Sequence, residues 1–83
     1  MNRYPNIQLC VNVLEILSQK GLSRIGNIMR ILNTNYNSLI DNLSFLSEQK
    51  LVEKKPIEEN REGFLITKQG TIVLNSIKIL KST

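Results

Sequence analysis

The sequence has no histidine, no tryptophan and a single cysteine, and its four glycines are widely spaced. Histidine is the commonest general base and the usual partner of a serine or cysteine nucleophile, so its absence removes most hydrolase mechanisms. One cysteine without histidine also cannot supply the usual ligand sets of a zinc site. The glycines form neither a dinucleotide-binding fingerprint nor a phosphate-binding loop. We therefore predict no catalytic residue, no metal site and no cofactor, and we expect Cys10 to be a small buried hydrophobe.

Long hydrophobic runs are also missing. The longest, from Leu9 to Leu17, is interrupted by Asn12 and Glu15 and is too short and too polar to cross a bilayer. The N-terminal residues up to Pro5 do not have the apolar segment and small-residue cleavage site of a signal peptide. We expect a cytoplasmic protein without a membrane segment.

What the chain does contain is an ordinary globular composition with a mild basic bias. Hydrophobic residues make up 41% and charged residues 22%, which predicts a packed core and one domain over residues 1–83. Eleven Lys and Arg against seven Asp and Glu give a net charge of +4. This charge permits binding to a polyanion without identifying one.

Helical periodicity dominates the first half of the chain. Apolar residues at helical spacing predict a first helix over roughly residues 5–19, with Pro5 in its first turn and Gly21 as its C-terminal cap. Ser23 is the predicted cap of a short second helix. A third helix is expected to start at the cap Asn35 and to end near Gln49.

The pattern changes after the third helix. Two β-prone runs, Leu51-Val52 and Phe64-Leu65-Ile66, enclose the charged stretch 53–63, which predicts a hairpin with a charged tip. Thr67 is the predicted cap of a fourth helix. The order therefore predicts an α+β, mainly α fold, namely a winged helix-turn-helix with three helices, a two-stranded wing and a C-terminal helix.

Nearly the whole chain resembles archaeal winged-helix regulators. The runs that carry the resemblance are Gly21-Leu22-Ser23-Arg24-Ile25, Asn33-Thr34-Asn35-Tyr36, Leu43-Ser44-Phe45-Leu46 and Phe64-Leu65-Ile66-Thr67-Lys68-Gln69-Gly70. They are similar to runs in the MarR and PadR families and in small Sulfolobus winged-helix chromatin proteins. The resemblance implies double-stranded DNA as partner, with the third helix as recognition helix. The chain departs from the family at Lys50, where relatives usually have glycine, and in having no Lys or Arg between Asn35 and Gln49.

The outer face of the third helix is the first candidate site. Asparagine pairs with adenine and serine reaches bases or phosphates, so the candidate DNA contacts are Asn35, Asn37, Ser38 and Asn42. Asp41 and Glu48 on the same side would repel phosphate. An ordinary solvated helix face explains the same polar residues equally well.

The predicted wing is the second candidate site. Its basic residues, Lys54, Lys55 and Arg61, are expected to reach the phosphate backbone or the minor groove. Four glutamates in the same stretch fit a solvated loop equally well. Further phosphate contacts are predicted at Arg24, Arg30 and Lys68.

A homodimer is predicted from an excess of apolar residues on the two terminal helices. The residues assigned to the interface are Leu9, Val13 and Ile16 of the first helix and Leu74, Ile77 and Ile79 of the fourth. The alternative is that these two helices cover each other within one chain.

Two functions remain open from the sequence. The first is a DNA-binding, homodimeric transcriptional regulator or small chromatin protein. The alternative is a winged helix that serves as a protein–protein interaction module without DNA binding, which is suggested by the lack of basic residues in the third helix. An enzyme is the least favoured class, because the titratable clusters lie on a predicted loop.

Overall fold

The computed structural model describes residues 5–82. In chain order its elements are α1 (Ile7–Lys20), α2 (Ile25–Leu32), α3 (Tyr36–Glu48), β1 (Val52–Glu58), β2 (Arg61–Ile66) and α4 (Lys68–Lys81). The two strands form one antiparallel sheet. The predicted fold class is confirmed: the chain is mainly helical, with a helix-turn-helix followed by a two-stranded wing and a final helix.

The ends of α1 and α2 differ in part from the prediction. The side chain of Asn6 caps α1 by accepting a hydrogen bond from the Leu9 amide, so the helix starts after Pro5 rather than at it. Gly21 ends α1 as predicted, in a conformation with φ of 76° that favours glycine. The prediction of Ser23 as a helix cap was wrong. Arg24 holds that position, while Ser23 donates its hydroxyl to Gly21 O and pairs through its backbone with β2.

The helix-turn-helix pair is joined by a tight turn. Asn33 ends α2 in the left-handed conformation, which asparagine tolerates better than most residues. Asn35 caps α3 as predicted, because its side chain accepts from the Ser38 amide at 2.8 Å. This cap fixes where α3 starts and therefore which side chains its first turn presents.

The turn that follows α3 has a lysine in a backbone conformation that favours glycine. Lys50 adopts a φ of 62°, a conformation that costs a residue with a side chain roughly 1 kcal/mol. The carbonyl of Lys50 accepts a hydrogen bond of 2.7 Å from the Thr67 hydroxyl, and the same hydroxyl accepts from the Gly70 amide, so Thr67 caps α4 as predicted. A Cβ on Gly70 would overlap the Leu51 carbonyl. The Thr-x-x-Gly run thus connects the end of the wing to the turn after α3.

The strands of the wing are longer than predicted, and their register shifts between Pro56 and Glu58. Most of the charged stretch 53–63 is strand rather than loop, and the strands pair from Val52 with Ile66 to Glu58 with Arg61. The turn itself is only two residues, at 59–60. Pro56 is accommodated because β1 has its strand partner on one side only.

The core is built around α1, which contacts α2, α3, α4 and β2. A helix surrounded on several sides is apolar over most of its circumference. Val13 and Ile16, like Leu74 of α4, are therefore buried inside the protomer, and their assignment to a dimer interface was wrong. Leu9 and Ile77 are half-buried against the same core. Of the residues predicted for the interface, Ile79 alone is exposed, at 66%.

Candidate nucleic-acid interface

The exposed face of α3 is polar and carries no basic residue. Asn35 and Asn37 are exposed and Ser38 is half-buried, so these three predicted contacts are accessible to a ligand. Asp41 is half-buried and Glu48 is exposed on the same helix. The face can offer amide and hydroxyl groups to base edges, but it offers no charge that attracts phosphate.

Asn42 is not part of this face. It is 4% exposed, and its Oδ1 accepts hydrogen bonds from the Asn6 amide at 2.8 Å and from the Cys10 thiol at 3.2 Å. Its Nδ2 donates to Ser38 O at 2.7 Å. Burial raises the pKa of Cys10, which keeps the thiol protonated and able to donate. The prediction of Asn42 as a DNA contact is therefore wrong, because its amide is used to join α1 to α3.

The three predicted basic residues of the wing are all exposed. Lys54 and Lys55 lie on β1 and Arg61 opens β2. The Lys54 ammonium lies 5.9 Å from the centroid of the Phe64 ring, within cation–π range. The Lys55 ammonium is 4.0 Å from the Glu53 carboxylate, a pair so exposed that it adds little stability.

Arg24 makes a contact that sequence patterns did not reveal. Its guanidinium donates to the Glu58 carboxylate at 3.0 Å, which joins the start of α2 to the wing. The pair is partly exposed, at 40% and 60% of the two side chains. The predicted phosphate contact at Arg24 thus has a carboxylate competitor, and no sequence signal links two residues this far apart.

Arg30 and Lys68 remain exposed surface residues. The Arg30 guanidinium donates to Asn27 Oδ1 one turn earlier on α2. Lys68 is the first residue of α4. Both side chains are accessible to phosphate, and neither forms an ion pair with an acidic residue within 5–82.

A groove of about 880 Å³ lies between α3 and the wing, which residue patterns do not predict. One wall carries Tyr36, Ile40 and Ser44 of α3, and the other carries Glu53, Lys54 and Glu62 of the wing. The two predicted contact elements therefore border the same groove, although Lys54 alone of the predicted contact residues lines it.

No group of three or more cysteine or acidic residues within 5–82 is arranged to hold a metal ion. None of the helices in this part of the chain has both the length and the apolar character of a bilayer span.

Two proteins of known structure share the fold of this chain. No protein-family model matches the chain, and no curated protein matches it either. A MarR family transcription regulator of known structure superposes with a TM-score of 0.82 and 14% identity, over 89% of this chain and 50% of that one. A MarR family transcriptional regulator from Silicibacter pomeroyi superposes with a TM-score of 0.76 and 22% identity, over 82% of this chain and 47% of that one.

These similarities define the class of the molecule as a winged helix-turn-helix of the kind found in MarR family regulators. The chain spans about half the length of the two regulators it matches. The predicted MarR-like fold is confirmed, while the archaeal and PadR-like parts of the resemblance stay predictions.

Proposed function

We propose that this chain binds double-stranded DNA and acts as a homodimeric transcriptional regulator or small chromatin protein. The observation that carries the proposal is the placement of α3 and the wing on the two sides of one groove. In duplex DNA, one sugar–phosphate strand separates a major groove from the adjacent minor groove. With α3 in the major groove and the wing at the minor groove, that strand crosses between them.

The proposal assigns different roles to the two elements. Asn35, Asn37 and Ser38 of α3 contact base edges or nearby phosphates. Lys54, Lys55 and Arg61 of the wing supply the charge that holds phosphate, with Arg30 and Lys68 as further cationic contacts. The role we propose is not catalytic and is placed in the cytoplasm, within one winged-helix domain.

The proposed homodimer keeps only Ile79 of the interface expected from the sequence and adds Ile72 of the same helix. Ile72 and Ile79 are 50% and 66% exposed, and they are separated by seven residues, so they lie on one face of α4. Burying this face against a second copy would remove exposed apolar surface from water. Two copies would present two recognition helices to one duplex.

The DNA-binding proposal is tested by the salt dependence of binding. Replacing Lys54, Lys55 and Arg61 by Ala removes three exposed cations, and the logarithmic salt slope is expected to become shallower by up to about three units. The measurement is fluorescence anisotropy with a labelled random duplex over a series of salt concentrations.

The matched control removes three exposed lysines away from the wing, at Lys20, Lys78 and Lys81. It changes the net charge equally and is expected to leave the slope nearly unchanged. Equal slopes for the wing variant and the parent protein would reject the phosphate-binding wing.

A protein-interaction module is the second candidate function. It is favoured by the charge of α3, whose described residues include Asp41 and Glu48 but no Lys or Arg. Absence of any duplex binding at low salt, where electrostatic attraction is strongest, would favour this function over the first.

A further inference from the structure

The third helix has none of the side chains that most often read guanine. Arginine and lysine, which donate to guanine O6 and N7 in the major groove, make the commonest specific base contacts. Neither residue occurs in α3, and the residue that caps the helix, Asn35, is an amide. A recognition helix of this composition has to read bases with other groups.

The polar groups that α3 exposes at its start suit adenine. Asn35 Oδ1 already accepts from the Ser38 amide as the helix cap. Asn37 is exposed, and its side chain forms no hydrogen bond within residues 5–82. An asparagine amide pairs with adenine by accepting from N6 and donating to N7. Both halves of the Asn37 amide are therefore accessible to an adenine edge.

Tyr36 and Ile40 form an apolar strip beside these polar groups. The two residues are four positions apart on α3, and both line the groove between α3 and the wing. Tyr36 is 55% exposed and Ile40 is half-buried. Thymine carries a methyl group in the major groove, and apolar side chains contact it there. The strip thus matches thymine, the base that pairs with adenine.

The two acidic residues of α3 lie elsewhere on the helix. A carboxylate can select cytosine by accepting from its amino group. Asp41, however, lines a different cavity, beside the start of α1. Glu48 is in the last turn, about 18 Å along the helix axis from Tyr36. On the groove side, the first turns of α3 therefore present Tyr36 and Ile40 rather than a carboxylate.

We propose that α3 reads A·T base pairs from the major groove and does not read guanine, with Asn37 on adenine and the Tyr36 ring on the thymine methyl group. The inference rests on the proposed DNA binding and adds to it the class of sequence that is recognised. Lys54, Lys55 and Arg61 of the wing contribute affinity for any duplex, whereas Asn37 and Tyr36 contribute the preference.

Three synthetic duplexes distinguish reading in the major groove from reading in the minor groove. Alternating A·T, inosine·C and G·C duplexes of equal length are titrated with the whole chain and followed by fluorescence anisotropy. Inosine is guanine without its 2-amino group, so an inosine·C pair has the major-groove groups of G·C and the minor-groove groups of A·T. We expect the A·T duplex to bind at least about tenfold more tightly than the other two. Equal affinities for A·T and inosine·C would overturn the proposal.

Replacing thymine by uracil removes the methyl group from the major groove and tests the role of Tyr36. The parent protein should bind the A·U duplex about fourfold more weakly than A·T, which is the effect of one buried methyl group. Tyr36→Ala should bind the two duplexes equally, whereas Tyr36→Phe keeps the ring and should retain the difference. Leu22→Ala shortens another exposed apolar side chain, outside the groove lining, and should also retain it. A difference that survives Tyr36→Ala would reject the contact assigned to Tyr36.

The adenine contact is tested by Asn37→Ala, which should reduce the preference for A·T over inosine·C. Gln19→Ala removes an exposed amide from α1 and is the control. The two proposals fail in different ways. A parent protein that binds none of the duplexes at low salt would overturn the proposed DNA binding and this inference with it. A parent protein that binds all of them with equal affinity would overturn this inference alone.

Discussion

Among single residues, Asn42 of α3 forms three hydrogen bonds, two of which connect it to the start of α1. Two of them end on its Oδ1, from the Asn6 amide and the Cys10 thiol, and the third connects its Nδ2 to Ser38 O. A buried polar group with all its partners in place fixes the relative position of the elements it joins. The cap at the start of α1 and the first turn of α3 are thereby held together.

Asn42→Ala is expected to lower the free energy of unfolding by about 1–3 kcal/mol, because the partly buried bond from the Asn6 amide and the buried bond from the Cys10 thiol both lose their acceptor. Chemical denaturation followed by circular dichroism measures the change. The control is Asn37→Ala, at an exposed position on the same helix, which should change stability by less than about 0.5 kcal/mol.

In a DNA-binding assay, the variant with little effect on stability should be the one that affects binding. Asn37→Ala should reduce the discrimination between strong and weak duplex sites, whereas folded Asn42→Ala should keep it. Similar stabilities for the two variants would contradict the role assigned to Asn42.

Residue types alone could not separate these two asparagines. Leu39, Leu43 and Leu46 define the buried face of α3, and Asn42 falls within the same arc. Its polarity suggested an outward position, but the Asn6 amide and the Cys10 thiol give it hydrogen-bond partners inside. The caps at Asn35 and Thr67 were predictable because their partners lie three residues away in the sequence.

At the scale of elements, hydrogen bonds connect the wing to the residues before α2 at two points. The backbones of Ser23 and Phe64 exchange hydrogen bonds of 2.9 and 2.8 Å, and the Arg24 guanidinium contacts the Glu58 carboxylate. The backbone bridge lies near the base of the wing and the ion pair near its tip. The wing therefore keeps a defined position beside α2 while its basic side chains remain accessible.

Glu58→Gln is expected to release Arg24 and so to tighten DNA binding. An exposed ion pair contributes only about 0–1 kcal/mol to stability, so the fold should be little affected. A released guanidinium that contacts phosphate should steepen the logarithmic salt slope by about one unit. The measurement is the same anisotropy titration over a series of salt concentrations.

Glu59→Gln is the matched control for this change, since it removes the same charge from the neighbouring position, where no ion pair is formed. If both variants steepen the slope equally, overall charge rather than the release of Arg24 is responsible.

The elements themselves were largely predictable from local patterns. Apolar spacing placed all four helices, and the β-prone runs placed the ends of the hairpin. Composition does not reveal strand pairing, so the sequence alone predicts a loop for much of the charged stretch 53–63. In the structure, backbone hydrogen bonds between the strands hold these residues in extended form while their side chains stay in water.

At the scale of the whole molecule, the central position of α1 explains why the dimer interface was misplaced. The sequence shows that α1 is apolar on two faces, but it does not show that α2, α3, α4 and β2 all contact this helix. Long-range packing of this kind depends on how the elements are arranged, which residue spacing within one helix does not specify. The same limit applies to the groove, whose two walls come from distant parts of the chain.

The exposed face of α4 leads to the last prediction, which concerns self-association. The described buried residues of α4 are Gly70 and Leu74 only, so its later turns add no fully buried side chain to the protomer. Changing both Ile72→Glu and Ile79→Glu places charges on the proposed interface without touching the core, and the variant should stay folded. By sedimentation equilibrium at micromolar concentration, we expect the parent protein at twice the chain mass of 9.5 kDa and the variant at the chain mass.

Lys78→Glu is the control: Lys78 is exposed but points more than a quarter-turn away from the two isoleucines, so this variant should remain dimeric. A parent protein that sediments as a single chain would contradict the homodimer, and a dimeric double variant would place the interface elsewhere.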